Sequence, residues 1–220
     1  MIVEPFGESA FLVTLGGGIQ PAVNARVQRI AGAVRADAQA GFAWGRPVPA
    51  FESVLVSFDL DRADRPTAEQ RLRSLIAAAE GPRLARGPVG PAVTIAVRYG
   101  GEDGPDLEWV ADQLALSSDE VIRLHTSRSY RVYMLGFAPG YAYLATLPAR
   151  LRLSRRASPR AVVPPGSVGI AGLQTGVYPA ALPGGFHLIG RTDAVMWDPL
   201  REPPQLLSPG QSVRFVAARG

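Results

Sequence analysis

The chain has 220 residues, enough for one large domain or two small ones, and 47% of them are hydrophobic, which excludes a disordered protein. It contains no cysteine and no lysine, so disulfides, thiolate nucleophiles, cysteine-based zinc sites, a P-loop lysine and a Schiff-base lysine are excluded. All 23 basic residues are arginine, and the net charge of +4 is spread along the chain, a poor footprint for nucleic acid.

No segment reaches the roughly 20 apolar residues of a membrane span. The first residues lack the basic-then-apolar order of a signal peptide, so a cytoplasmic protein is expected. Residues 2–15 hold two short apolar runs around Gly7, read as paired strands. Pro21 opens a helix whose Val23, Val27, Ile30 and Val34 recur at three- and four-residue spacing, and Gly41 stops it. Strands are expected at 46–50 and 53–59. A second helix is expected from Pro66 to Ala79, with Leu72, Leu75 and Ile76 on one face. This order predicts a small α/β sandwich with helices on one sheet face. In residues 81–91, six of eleven are Gly or Pro; the segment reads as a linker, with the boundary between domains 1–86 and 87–220.

Beyond it, Val93–Tyr99 alternates as a strand, and 107–114 reads as a helix capped by Pro105 or Asp106. Ser117, with Glu120 three residues on, has the form of a capping box opening a helix that ends at His125. From Tyr130 to Pro199, glycine or proline cuts the chain every few residues. Such a stretch is made of short strands and shaped turns, read as a small barrel with function on its loops. Residues 208–217 give a closing turn and strand.

Few residues can carry chemistry. His125 ends a helix, where the dipole favours a protonated ring. It is a candidate for proton transfer or phosphate contact, against the plainer alternative of a cap on the last carbonyls. His187 lies in a strand-like context and is expected to face outward. Two isolated histidines make no metal site. Arg150, Arg152, Arg155, Arg156 and Arg160 put five guanidinium groups into eleven residues without an acid, a pattern suited to phosphate or carboxylate. The flanking Pro159, Pro164 and Pro165 favour a fixed loop around Arg156 and Arg160. The segments 136–141 (GFAPGY) and 183–187 (PGGFH) set aromatics beside glycines, either an amide-floored pocket for a small anion or a barrel corner. Ser167 follows Gly166 outside any GxSxG elbow and reads as a turn hydroxyl.

The segments YGGEDGPDL, VIRLHTS, LGFAPGYAYL, RRASPR, VPPGSVGIAGLQTGVYP and PGGFHLIGRT closely resemble the family of 5-oxoprolinase B-type subunits. That family is also known as allophanate hydrolase subunit 1, and it includes KipI-like inhibitors of a sensor histidine kinase. The resemblance covers about residues 93–216 closely and the N-terminal part more loosely, chiefly through 48–59. It implies an α+β chain with a C-terminal cyclophilin-like β-barrel. It also implies a non-autonomous component of an ATP-dependent lactam hydrolase, with Mg2+ accompanying the nucleotide and no metal held by this chain. Its partners would be the C-type and A-type subunits of that enzyme, and its substrate 5-oxo-L-proline. Catalytic contacts are expected at His125, Arg156 and Arg160. Binding contacts are expected at Gly136, Phe137, Pro139, Gly140 and Tyr141, at Gly166, Ser167, Gln174 and Thr175, and at Gly184, Gly185 and Phe186. Three positions depart from the family pattern: Ala142 replaces proline, Phe186 replaces tryptophan, and Gln211 replaces an aspartate.

Overall fold

The computed structural model describes residues 1–80 and 92–218, which fall into two compact units. The expected linker, the boundary at 86/87 and the helix stop at Gly81-Pro82 lie outside the described residues.

In the first unit, strands β1 (Ile2–Pro5), β2 (Ala10–Thr14), β3 (Val48–Pro49) and β4 (Ser53–Ser57) form an antiparallel sheet in the order β1-β2-β4-β3. Helices α1 (Pro21–Gln39) and α2 (Arg65–Ala79) complete it. Strand alternation sends Phe11, Val13, Val54 and Val56 to one face, where they pack with Val27, Ile30, Val34, Leu72 and Ile76 of the helices. The α/β sandwich is as read from the sequence, except that the strand expected at 46–50 shrinks to two residues. A buried polar brace holds it. Asp37 accepts from Trp44 Nε1 at 2.9 Å and from Arg71 Nε at 3.1 Å.

The second unit is a closed barrel of β5 (Val93–Tyr99), β6 (Ser129–Leu135), β7 (Ala142–Ala145), β9 (Ser167–Ala171), β10 (Gln174–Val177), β12 (His187–Arg191) and β13 (Ser212–Ala217). Its order is β10-β7-β6-β13-β5-β12-β9, antiparallel throughout except for β5 beside β13. A separate hairpin pairs β8 (Arg160–Val163) with β11 (Leu182–Gly184). Helices α3 (Leu107–Gln113) and α4 (Ser118–Thr126) pack Leu107, Val110 and Val121 into the barrel core with Ile95, Val97, Leu144, Ile170 and Phe215. The capping box forms as expected, Ser117 accepting from the Glu120 amide while Glu120 accepts from the Ser117 amide. Among the described residues, no helix is long and apolar enough to cross a membrane.

Candidate functional site

Three loops converge on the face of the barrel flanked by the β8–β11 hairpin. The first, 136–141, links β6 to β7 and folds on itself: Ala138 N–H donates to the Gly136 carbonyl at 2.8 Å, and Tyr141 N–H to the Ala138 carbonyl at 3.0 Å. The turn forces Phe137 to φ +67°, unusual for a residue with a side chain, and leaves the residue 56% exposed. Gly140, at φ +81°, admits no larger residue, because a Cβ there would lie 2.8 Å from Trp197 Cβ and 2.9 Å from the Met196 carbonyl oxygen. Pro139 is exposed beside it. The third loop, 184–186, is tied to the second, 154–160, by Arg156 N–H donating to the Gly185 carbonyl at 2.9 Å.

Between these loops lies a chain of edge-to-face rings. Phe137 meets Tyr141 at 5.2 Å, Tyr141 meets Tyr143 at 5.0 Å and Tyr178 at 5.6 Å, and Tyr178 meets Phe186 at 6.4 Å. Glycines make room for them. A Cβ on Gly176 would come within 2.8 Å of the Tyr141 hydroxyl, and one on Gly184 would overlap that of Tyr178. Burial pushes the Tyr141 hydroxyl above the ordinary tyrosine range; the nearby Arg155 charge opposes it. Burial likewise raises Tyr178, against the Phe186 amide, Arg155 and Arg160.

The arginines divide by role. Arg160 grips Asp106 at two points, Nη1 to Oδ2 at 2.9 Å and Nη2 to Oδ1 at 2.8 Å, while Arg156 Nη1 stands 3.4 Å from Oδ1. The Leu188 amide adds a 2.7 Å bond to Oδ2. Burial raises the Asp106 pKa, but the Arg160 and Leu188 hydrogen bonds outweigh it and hold the carboxyl below its usual range. This corrects the expectation that Arg156 and Arg160 are free to meet a ligand anion: the carboxylate they bind is the protein's own. Asp106 stands at the start of α3 but makes no side-chain cap there. Arg155, by contrast, is exposed, lies 5.4 Å over the Phe186 ring and has no carboxylate partner among the described residues. Arg150 stands 3.7 Å from Glu120.

His125 is not at the loops. It is fully buried in the barrel, stacked on Phe215 at 4.7 Å. Thr175 Oγ1 donates its one proton to the Gly169 carbonyl at 3.0 Å, so it accepts from His125 Nε2–H at 2.9 Å. Tyr99 then donates its hydroxyl to His125 Nδ1 at 2.7 Å. Burial pushes the ring pKa down to about 3, the reverse of the protonated state expected from the helix end. With both nitrogens occupied, His125 and Thr175 are core residues, and neither the proton-transfer role nor the carbonyl-cap alternative for the ring holds. Its own carbonyl accepts from the Tyr130 hydroxyl at 2.7 Å.

His187 is likewise buried, not outward. It stacks on Trp109 at 4.7 Å and donates from Nε2 to the Ser154 carbonyl at 2.8 Å. Gly166 and Ser167 shape a turn that meets Tyr178 through the backbone. Gly166 N–H donates to the Tyr178 carbonyl, and the Gly166 carbonyl accepts from Thr192 N–H. Gln174 lies on β10 opposite Ala171, a member of the aromatic cluster, and its Oε1 is buried with no hydrogen bond among the described residues. The structure therefore gathers Gly136, Phe137, Pro139, Gly140, Tyr141, Gly184, Gly185 and Phe186. It adds Arg155, one of the five clustered arginines, together with Tyr143 and Tyr178, which no sequence feature had singled out.

A family model, the carboxyltransferase domain, subdomain C and D, matches residues 1–207. The chain is 40% identical over 228 residues to the B subunit of 5-oxoprolinase from Bacillus subtilis (strain 168), covering 97% of this chain and 91% of that relative. It is 56% identical over 124 residues to the B subunit of 5-oxoprolinase from Escherichia coli O157:H7, covering 56% of this chain and 57% of that one. The crystal structure of TTHA0988 superimposes with a TM-score of 0.81 at 36% identity, and this chain, fully covered, spans 40% of it. The Kluyveromyces lactis urea amidolyase shares the fold, with a TM-score of 0.75 at 18% identity over 98% of this chain and 15% of its own. This chain belongs to the family of 5-oxoprolinase B-type subunits, within the carboxyltransferase subdomain C and D fold.

Proposed function

We propose that the chain is the B-type subunit of an ATP-dependent 5-oxoprolinase, which opens 5-oxo-L-proline to L-glutamate, and that its Phe186 face is one wall of a site completed by a C-type partner. The observation that carries this reading is a recognition face without acid–base machinery. Among the described residues both histidines are buried and bonded to protein groups, and no histidine or carboxylate hydrogen bonds to Ser167. A group that delivers water to a lactam must then come from elsewhere. The 40% span of TTHA0988 agrees with a unit that works joined to more protein.

A lactam amide is stable, and transfer of a phosphoryl group to its oxygen makes the ring carbon electrophilic, which explains a coupling to ATP. Mg2+ would arrive with the nucleotide, whose phosphates supply much of its coordination, or be held by the partner. This chain's share is binding: the ring cluster excludes water, and the Asp106 clamp fixes the loop that carries Arg155.

Co-expression with the C-type protein should yield a stable complex, and this chain alone should show no 5-oxoproline-dependent ADP release. A kinase-docking reading has one feature in its favour, the half-exposed Phe137 in a left-handed conformation. Recovery of a sensor histidine kinase and no C-type chain in a pull-down would favour it.

A further inference from the structure

We propose that Arg155 is the carboxylate anchor of this face, and that the Tyr141 hydroxyl and the Gln174 amide oxygen meet the polar edge of a small cyclic amide held beside it. The inference rests on the lactam reading above and assigns the roles within it.

Three groups are left unsatisfied on one surface. Arg155 is the exposed guanidinium that the Asp106 clamp does not use, and it is steadied over the Phe186 ring at 5.4 Å. Tyr141 is 3% exposed, yet no hydrogen bond reaches its hydroxyl among the described residues, and Arg155 lies close enough for its charge to act on that hydroxyl. Gln174 Oε1 is buried without a partner among the described residues. A buried polar atom left bare costs about 1–3 kcal/mol, so a face that keeps the Gln174 oxygen in that state is built to be completed. Gln174 and Tyr141 sit together because Gln174 and Gly176 alternate along β10 and share a face, and the Tyr141 hydroxyl lies over Gly176.

The chemistry selects the ligand. A hydroxyl donor suits an amide carbonyl, an amide oxygen suits an amide N–H, and a planar guanidinium suits a carboxylate. The aromatic surroundings suit a compact ring. A five-membered lactam bearing a carboxylate presents all three partners; a neutral lactam presents two.

The test compares 5-oxo-L-proline with 2-pyrrolidinone, the same ring without its carboxylate, on the assembled complex of this chain with its C-type partner, with the A-type protein and ATP added for turnover. Calorimetric binding and turnover are measured for the wild type, Arg155→Met and Arg155→Lys. The expected result is a tenfold or greater loss of 5-oxoproline affinity and a matching rise in KM for Arg155→Met. Its kcat should change less than twofold, 2-pyrrolidinone binding should be unaffected, and Arg155→Lys should recover part of the loss. A wild-type complex that binds and turns over 5-oxoproline, with Arg155→Met indistinguishable or with both lactams weakened equally, overturns the anchor and leaves the proposed function standing. Neither binding nor turnover in the wild-type complex overturns both.

Discussion

Arg160 and Asp106, 54 residues apart, face each other as a two-point clamp at 2.8 and 2.9 Å, the arginine a quarter exposed and the carboxylate almost wholly buried. The clamp joins the start of α3 to the loop that carries Arg155 and, through the Leu188 amide, to β12.

Removing the carboxylate should therefore loosen the face and the fold together. Asp106→Ala leaves two guanidinium groups and an amide without their partner, and a loss on the order of 3 kcal/mol in denaturant unfolding is expected. Because folding lowers the Asp106 pKa, its contribution is complete above the unfolded value of about 3.9 and fades as pH falls below it. The stability gap between the wild type and Asp106→Asn should accordingly shrink below about pH 4. A loss under 0.5 kcal/mol would mean the clamp is incidental.

His125 gives a second pH signature, in the same direction but setting in at higher pH. Its folded pKa near 3 lies below the ordinary value of 6.5, so the unfolded chain takes up a proton that the folded one refuses. Stability is full above about pH 6.5 and falls by up to roughly 1.4 kcal/mol per unit as pH drops towards 3. His125→Gln should be less stable at pH 7 and show a shallower slope between pH 6 and 4. Parallel slopes for the two proteins would remove His125 as the cause.

Phe137 separates folding from recognition. Phe137→Gly relieves a left-handed residue and removes an exposed ring, so thermal stability should hold or rise by up to about 1 kcal/mol. Affinity for the partner or substrate should drop, as read by titration calorimetry. Unchanged affinity would confine Phe137 to the loop's own packing.

Gly166 tests the converse. At φ +78°, with a Cβ that would overlap the Thr192 carbonyl oxygen, Gly166→Ala should destabilise by about 2 kcal/mol or more. Its KM for 5-oxoproline in the complex should match the wild type, since Gly166 meets Tyr178 through the backbone alone. A selective rise in KM with normal stability would restore Gly166 to the site.

Much of the architecture was readable because it is written locally. The apolar spacing of α1 and α2, the Ser117–Glu120 box and the Val93–Tyr99 alternation each need only neighbouring residues, and all appear in the structure. The site was readable only as loops. Asp106 looked like a helix cap because its partners, Arg160 and Leu188, are 54 and 82 residues away. His125 looked like a helix-end cation because nothing nearby shows that Thr175, 50 residues on, meets its ring inside the barrel. The direction of His187 was beyond strand parity, since β12 shifts register between Leu188 and Gly190 and Trp109 covers the ring. Gln211, which stands where the family pattern has an aspartate, closes its own turn, its Oε1 accepting from the Ser208 amide at 2.8 Å.

One titration decides whether the site is shared between two chains. Increasing amounts of this chain are added to a fixed amount of the C-type partner, with the A-type protein, ATP and 5-oxo-L-proline in excess, and ADP release is followed. Release should rise from zero and level off at a fixed ratio of the two chains. Full activity without this chain, or without the C-type partner, would contradict a shared site.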